Sequence, residues 1–285
     1  MKILVTGSNG QLGSEINKLS FNYNFHWLFS DSDIFDLFDL KNINVFLDKS
    51  NPDIIINCAA YTSVDRAEDD FKNANIINHK AVELIAKWSN NNNCKLIHIS
   101  TDYVYDGTSL TPVKEDMQAN PVNNYGKTKL FGDIVCLKNN PSSIIIRTCW
   151  LYSSFGKNFV TNMINLMQDS DEIKVINDQF GSPTYAGDLA NVILHIISNK
   201  KWQPGIYNYS NIGNISWFDF ASEIKSIYSF NTIIKPITSK EYPQKTKRPK
   251  YSILDNSKIL NTFNIKQIKY IDSLRKCVNI LQNES

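Results

Sequence analysis

The segment Thr6-Gly7-Ser8-Asn9-Gly10-Gln11-Leu12-Gly13 constrains this chain more than any other. It follows directly on an apolar run that begins at the second residue, and it leads into a helical pattern. Three glycines in that setting let the backbone turn tightly and come close to a pyrophosphate. The helix opening there supplies free N–H groups and a dipole that favours negative charge. Glycines in a strand-to-helix turn also serve packing alone, so the pattern takes its meaning from its place after a strand and before a helix. Gly7, Gly10, Gln11, Leu12 and Gly13 are therefore candidate cofactor-binding residues. A second apolar run ends at Asp31, 18 residues beyond Gly13, where an acid suits the ribose hydroxyls of NAD. Ser32 follows it, with no Arg ready for a 2′-phosphate, which leans the cofactor towards NADH with NADPH accepted. Asp31 and Asp33 also suit loop solvation or helix capping.

Short apolar runs alternate with helical patterns through the first two-thirds of the chain. Strands are expected over residues 2–6, 25–30, 53–59, 95–100 and 142–148, with helical patterns over 13–19, 45–49, 81–89 and 125–137. Alternating βα units whose strands are buried on both faces imply an α/β fold with a doubly wound parallel sheet. The last third is broken by Pro183, Pro204, Pro236, Pro243 and Pro249 and is rich in aromatic residues. It reads as a smaller C-terminal α/β substrate-binding lobe over the carboxyl ends of the strands. The expected division gives residues 1–149 to a dinucleotide-binding domain and 150–285 mainly to the lobe, with a return to the first domain around 185–203.

Composition removes several alternatives. A chain of 285 residues, 42% hydrophobic and 20% charged, can bury an extensive core without disulfides or metal. A formal charge of +2 gives no argument for nucleic acid or a membrane as partner. Cys58, Cys94, Cys136, Cys149 and Cys277 show neither CxxC nor a Cys/His cluster, as expected of reduced thiols in a cytoplasmic protein. Only residues 3–6 precede Gly7 as an apolar stretch, too short for a signal-peptide core. The longest apolar run, 54–60, is interrupted by Asn57 and falls far short of a membrane span.

Tyr125 and Lys129 lie four residues apart, on one face of the helix expected there. An isolated pair of this kind is common on solvated helix surfaces. Ser100-Thr101-Asp102, at the carboxyl end of the preceding strand, gives it context: in a parallel sheet that end and the next helix start face the same cleft. A hydroxyl, a phenol and an ammonium can then surround one carbonyl oxygen. Reducing a ketone needs a hydride on carbon and a proton on oxygen. A free phenol titrates near pH ~10. Lys129 is expected to favour the phenolate and move Tyr125 towards working pH, while Thr101 holds the carbonyl.

With these motifs in place, the chain resembles the extended short-chain dehydrogenase/reductases with a Rossmann fold, and more closely the dTDP-4-dehydrorhamnose reductase family. The resemblance runs through TGSNGQLG (6–13), NPDIIINCAAYTSVDRAE (51–68), STDYVYDG (100–107) and YGKTKLFGD (125–133). It continues through IRTCWLY (146–152), GKNFV (156–160), VINDQFGSPT (175–184) and RPKYSILDNSKI (248–259). Thr101, where the wider superfamily usually has Ser, points to the sugar-reductase branch. The resemblance implies reduction of the 4-keto group of dTDP-4-dehydro-6-deoxy-L-mannose to dTDP-L-rhamnose, for cell-surface polysaccharide. It implies that Gly10, Gln11 and Leu12 touch the pyrophosphate, Asp36 and Leu37 the adenosine end, and Ala60, Tyr61 and Thr62 the middle of the cofactor. Lys129 would reach the nicotinamide ribose, Thr101 and Asp102 the sugar, and Trp150 would pack on the sugar nucleotide.

Some members of the family join their dimers through a divalent metal bound by carboxylates. Glu15 falls where one such acid is expected, but Gly187 stands where another would be. That counts against an interface Mg²⁺ and leaves a metal-free homodimer as the expectation. Residue type alone makes Trp150 a core tryptophan as readily as a ligand platform, and His98, inside an apolar strand, a hydrogen-bonded core histidine. The basic stretch Lys240, Lys245, Lys247, Arg248 and Lys250 fits a solvated loop, a diphosphate contact or, least well, nucleic acid. Two other functions compete: a reductase of another 4-keto-6-deoxy sugar carried by UDP or CDP, and a non-catalytic regulatory subunit of methionine adenosyltransferase. Retention of Thr101, Tyr125 and Lys129 together argues against the second.

Overall fold

The computed structural model describes every residue except 200, 244 and 285. Among the described residues, six parallel strands form the main sheet in the order β2-β1-β3-β4-β5-β10. They are β1 (Lys2–Thr6), β2 (His26–Ser30), β3 (Ile54–Asn57), β4 (Lys95–Thr101), β5 (Ile144–Thr148) and, much later in the chain, β10 (Gly205–Asn208). The isoleucine runs of β3 and β5 are buried along their whole length, as β-branched residues in the middle of a doubly covered sheet should be. Val5 pairs with Ile56, and Ile97 with Ile144. Alternation sends Ile3, Val5, Ile56 and Ile146 to one face, against α1 (Gln11–Ser20) and α7 (Ala186–Ser198). Leu4, Ile55, Leu96 and Ile145 point to the other, against α2 (Asn42–Ser50) and α4 (Val82–Asn91).

The chain leaves β1 towards β2 on one side and returns to β3 on the other. That reversal opens the crevice in which such sheets bind ligands. β3 ends at Asn57, two residues short of the expected strand, because Cys58 and Ala59 leave the ladder at this crevice. The helix expected at 81 is preceded by α3 (Phe71–Asn75) and a π-helical stretch, Ile76–Ala81. Its wide turn brings Asn78 onto the Tyr61 backbone, at 2.9 and 3.0 Å, and onto the Thr128 hydroxyl of α5 (Asn124–Asn139), at 3.1 Å.

The expected smaller lobe is built from short pieces. Between β5 and α7 lie β6 (Leu151–Tyr152), α6 (Phe159–Asp169), β7 (Glu172–Ile176), β8 (Phe180–Gly181) and β9 (Thr184–Tyr185). After β10 come β11 (Ile215–Ser216), α8 (Trp217–Tyr228), β12 (Ile233–Ile237), β13 (Tyr251–Ser252), α9 (Ser257–Phe263) and α10 (Tyr270–Glu284). Tyr152, Tyr185, Phe220 and Leu274 belong to its hydrophobic core. No helix among the described residues is long and apolar enough to cross a membrane.

Candidate active site

The first turn of α1 has no side-chain cap at Gly10, whereas Asn123, Asn158 and Ser216 cap α5, α6 and α8. Its N–H groups are left for a ligand. Gly7 sits at φ +64°, and a Cβ there would stand 2.8 Å from the Ala59 backbone. The absent side chain thus lets the β1–α1 turn lie directly against the residues leaving β3. A Cβ at Gly13 would stand 2.4 Å from the Gly7 carbonyl, so the whole cradle depends on bare backbone.

From this cradle a cleft of about 770 Å³ runs to α5. Gly10, Gln11, Leu12, Asp31, Asp36, Leu37, Ala60 and Thr62 line one part of it, and Thr101, Asp102, Tyr125, Lys129 and Trp150 the other. Gln11 Oε1, Ser100 Oγ and Thr148 Oγ1 are buried without a hydrogen-bond partner, as groups awaiting a polar ligand would be. Cradle and orphaned groups together fit a dinucleotide. The Asp31 carboxylate borders the cleft and is also engaged in its own loop, accepting from Asn9 Nδ2 and, at 3.1 Å, from the Asp33 amide.

Asn123 starts α5 by accepting from the Gly126 amide at 2.8 Å. A Cβ at Gly126 would lie 2.1 Å from the Tyr103 carbonyl, so only glycine lets α5 press this closely onto the end of β4. Tyr125 meets Tyr103 edge-on, ring centres 5.5 Å apart. Burial pushes the Tyr125 phenol well above its usual range; the Thr101 hydroxyl beside it draws it back, and the Asp102 and Asp133 charges push it further up. Lys129 does not produce the expected lowering of that phenol. Its Nζ instead donates to the Ile99 carbonyl of β4 at 2.6 Å, and burial brings its own pKa down to about 8. The site therefore holds Tyr125 as a neutral phenol, the form that can give up a proton. Asp102, 3% exposed, is raised by burial to about 6, with hydrogen bonds from Ser252 and Thr101 opposing the rise.

Trp150 follows β5 with φ +47°, rare for a bulky residue. Its indole stacks on Trp217 at 3.4 Å and 7°. On the Gly181 side, a Cβ would stand 2.4 Å from the ring. The ring is thus held by Trp217 and the Gly181 backbone, and Trp150 lines the cleft.

The family described as RmlD substrate binding domain matches residues 1–283. The dTDP-4-dehydrorhamnose reductase of Aggregatibacter actinomycetemcomitans is 36% identical over 275 residues, covering 93% of this chain and 94% of its own. The solved dTDP-4-dehydrorhamnose reductase of Clostridium acetobutylicum superposes with a TM-score of 0.95 at 39% identity, over 99% of this chain and 100% of that one. That of Bacillus anthracis, in complex with NADP, does so with 0.94 at 34%, over 98% and 99%. The chain belongs to the dTDP-4-dehydrorhamnose reductase family.

Within this reductase family's frame, most residues expected at the site do converge on the cleft. Tyr61 does not: Ala60 and Thr62 line the cleft, while the Tyr61 hydroxyl turns to Asp70 at 3.1 Å. The basic stretch folds back on the chain's own acids, Arg248 pairing with Asp65 at 2.9 Å and Lys245 with Asp69. His98 is fully buried, hydrogen-bonded to Asn57 at 3.0 Å, and burial holds its pKa well below the usual imidazole range. Glu15 is 2% exposed and accepts from Ser153 at 2.7 Å. Among the described residues, no group of three or more His, Cys, Asp or Glu side chains stands together as a metal site. Sequence reasoning missed Lys157, a cation on the cleft wall, although the GKNFV segment containing it was visible. It also missed Trp217, whose pairing with Trp150 nothing in the spacing announces.

Proposed function

We propose that this protein reduces the 4-keto group of dTDP-4-dehydrorhamnose with NAD(P)H, giving dTDP-L-rhamnose for cell-surface polysaccharide, and that it acts in the cytoplasm. The observation that carries this reading is the meeting of Thr101, Tyr125 and Lys129 in one cleft with the bare-backbone cradle of Gly7, Gly10 and Gly13. Bound NAD(P)H supplies the hydride. Tyr125, a neutral phenol on the cleft wall, gives its proton to the forming alkoxide oxygen. Thr101 hydrogen-bonds that same oxygen and keeps it beside the phenol. Asp102 accepts from a sugar hydroxyl, and Trp150, on the cleft wall, packs against the sugar nucleotide. Lys129 holds the cofactor side of the site.

The test is coupled turnover: dTDP-glucose, a dehydratase, an epimerase and this protein, followed by loss of reduced-nicotinamide absorbance. Turnover is expected. Silence there, with turnover of the UDP or CDP counterpart, would move the nucleotide assignment. Asp31 makes a second expectation. A 2′-phosphate beside its carboxylate meets a like-charge cost of roughly 1 kcal/mol near water, about fivefold. Asp31→Ala should therefore raise the NADPH-to-NADH ratio of kcat/KM by about that factor. An unchanged ratio would place the adenosine ribose elsewhere.

A further inference from the structure

Besides Lys129, α5 carries a second buried charge that the reaction as described does not use. Asp133 lies four residues beyond Lys129, as Lys129 lies four beyond Tyr125, so all three share one helix face. Asp133 Oδ2 accepts from Arg147 Nε at 3.0 Å, with the two side chains 2% and 4% exposed. Arg147, on β5, is itself held by Tyr105: its Nη1 donates to the hydroxyl at 2.7 Å, and its guanidinium carbon lies 5.1 Å from the ring centre. The other carboxylate oxygen, Asp133 Oδ1, is buried with no hydrogen-bond partner. A pair serving only to fasten α5 to β5 would be expected to use both oxygens, in the bidentate geometry a guanidinium favours.

Lys129, fully buried, is surrounded by groups that carry no charge at neutral pH. Cys58 faces it from the turn after β3, His98 from β4, and Cys136 from α5 itself. Burial pushes both thiols up to about 12 and keeps the imidazole neutral. Tyr125, one turn away, is likewise a neutral phenol. Among the described residues, Asp133, one turn further along α5, is the strongest influence opposing the ammonium's loss of a proton to burial.

We propose that Asp133 is a positioning residue for the reduction, its carboxylate, one helical turn away, keeping the buried Lys129 ammonium charged while Arg147 fixes that carboxylate in place. This rests on the reading that Lys129 serves the site. Asp133 stabilises the protonated amine, so removing its charge favours the neutral amine, and any rate that needs the ammonium is lost at lower pH.

NMR titration of isotope-labelled lysine reads this directly, with the Lys129 signal assigned by its absence in Lys129→Met. In the wild-type protein the signal is expected to titrate at about 8. In Asp133→Asn the midpoint should fall by about one to three pH units, and the alkaline limb of kcat should fall with it. The variant should then be about twofold to a hundredfold slower at neutral pH, according to the size of the shift, and recover in mildly acidic buffer. A purely structural role would lower activity equally at every pH and leave the lysine midpoint in place. That result overturns the proposal. If Asp133→Asn does not fold, Asp133→Asn combined with Arg147→Met removes both buried charges together and carries the same measurement. A downward shift is again expected, and an unmoved midpoint again overturns it. A Lys129→Met protein with wild-type kcat would overturn instead the assignment of Lys129 on which the proposal rests.

Discussion

Tyr125→Phe should lower kcat by about 10²–10⁴-fold, the usual worth of a placed general acid. The substitution removes one oxygen from a ring packed edge-on against Tyr103, so the fold and the cleft walls should survive. The phenol's pKa is raised by burial above its usual range, which keeps it protonated through neutral pH and suits it to giving a proton rather than taking one. Without it, the alkoxide must draw its proton from water. NAD(P)H affinity, followed by fluorescence titration, should change by less than about threefold, which separates lost chemistry from lost binding. Lys129→Met should damage both, because the amine is buried in the cleft wall and holds the Ile99 carbonyl. A folded Tyr125→Phe protein that kept most of its kcat would remove the phenol from the mechanism and revive the regulatory-subunit alternative.

Gly7→Ala should be among the most damaging single methyl groups in the cofactor half. Two costs coincide there. A left-handed backbone with a Cβ costs about 1–2 kcal/mol. The new methyl also meets the Ala59 backbone at 2.8 Å, where no side chain can swing aside. Overpacking of that kind adds about 1–3 kcal/mol. Gly156→Ala is the matched control: its φ is +69°, but the nearest atom lies 3.8 Å away at the end of the Gln11 side chain. Denaturant unfolding should therefore show the Gly156 variant losing only the backbone cost and the Gly7 variant roughly twice that or more. The turn against Ala59 must open to admit the methyl, and a shift of about 1 Å at a binding group can cost around a hundredfold. NAD(P)H affinity should fall on that scale for Gly7→Ala alone. Equal affinities in the two variants would mean that this turn does not cradle the cofactor.

The parallel sheet was legible because its strands are long enough to show a pattern, and because TGSNGQLG can serve only a strand-to-helix turn of tight radius. The same does not hold after β5. Strands of two residues, such as β6, β8, β9, β11 and β13, have no periodicity to read, and their pairing depends on contacts between distant segments. The π-helical stretch before α4 was hidden for a related reason: widening one turn leaves the apolar spacing on either side nearly intact. At the site, helical spacing placed Tyr125 and Lys129 on one face, but it could not say where a long flexible amine would point. The structure sends that amine to the backbone of β4, and the expected lowering of the phenol goes with it. Asp133 stood in plain view at the end of YGKTKLFGD. Its partner Arg147 comes from the next strand, and only the tertiary fold pairs them.

The late arrival of α7 and β10 bears on how the chain is made. By Thr148 a ribosome has delivered five of the six strands of the main sheet, yet one face still lacks Leu189, Ile193, Leu194 and Ile196, which pack with Ile3, Val5, Leu12 and Ile16 in the finished core. The edge beside β5 also stays unpaired until residues 205–208 emerge. Throughout that interval the nascent chain presents bare apolar surface and an open strand edge, the two features that invite aggregation. Synthesis halted after β5 would thus release a sticky fragment with no working cofactor half, and chaperones have reason to hold this chain until its C-terminal third is out.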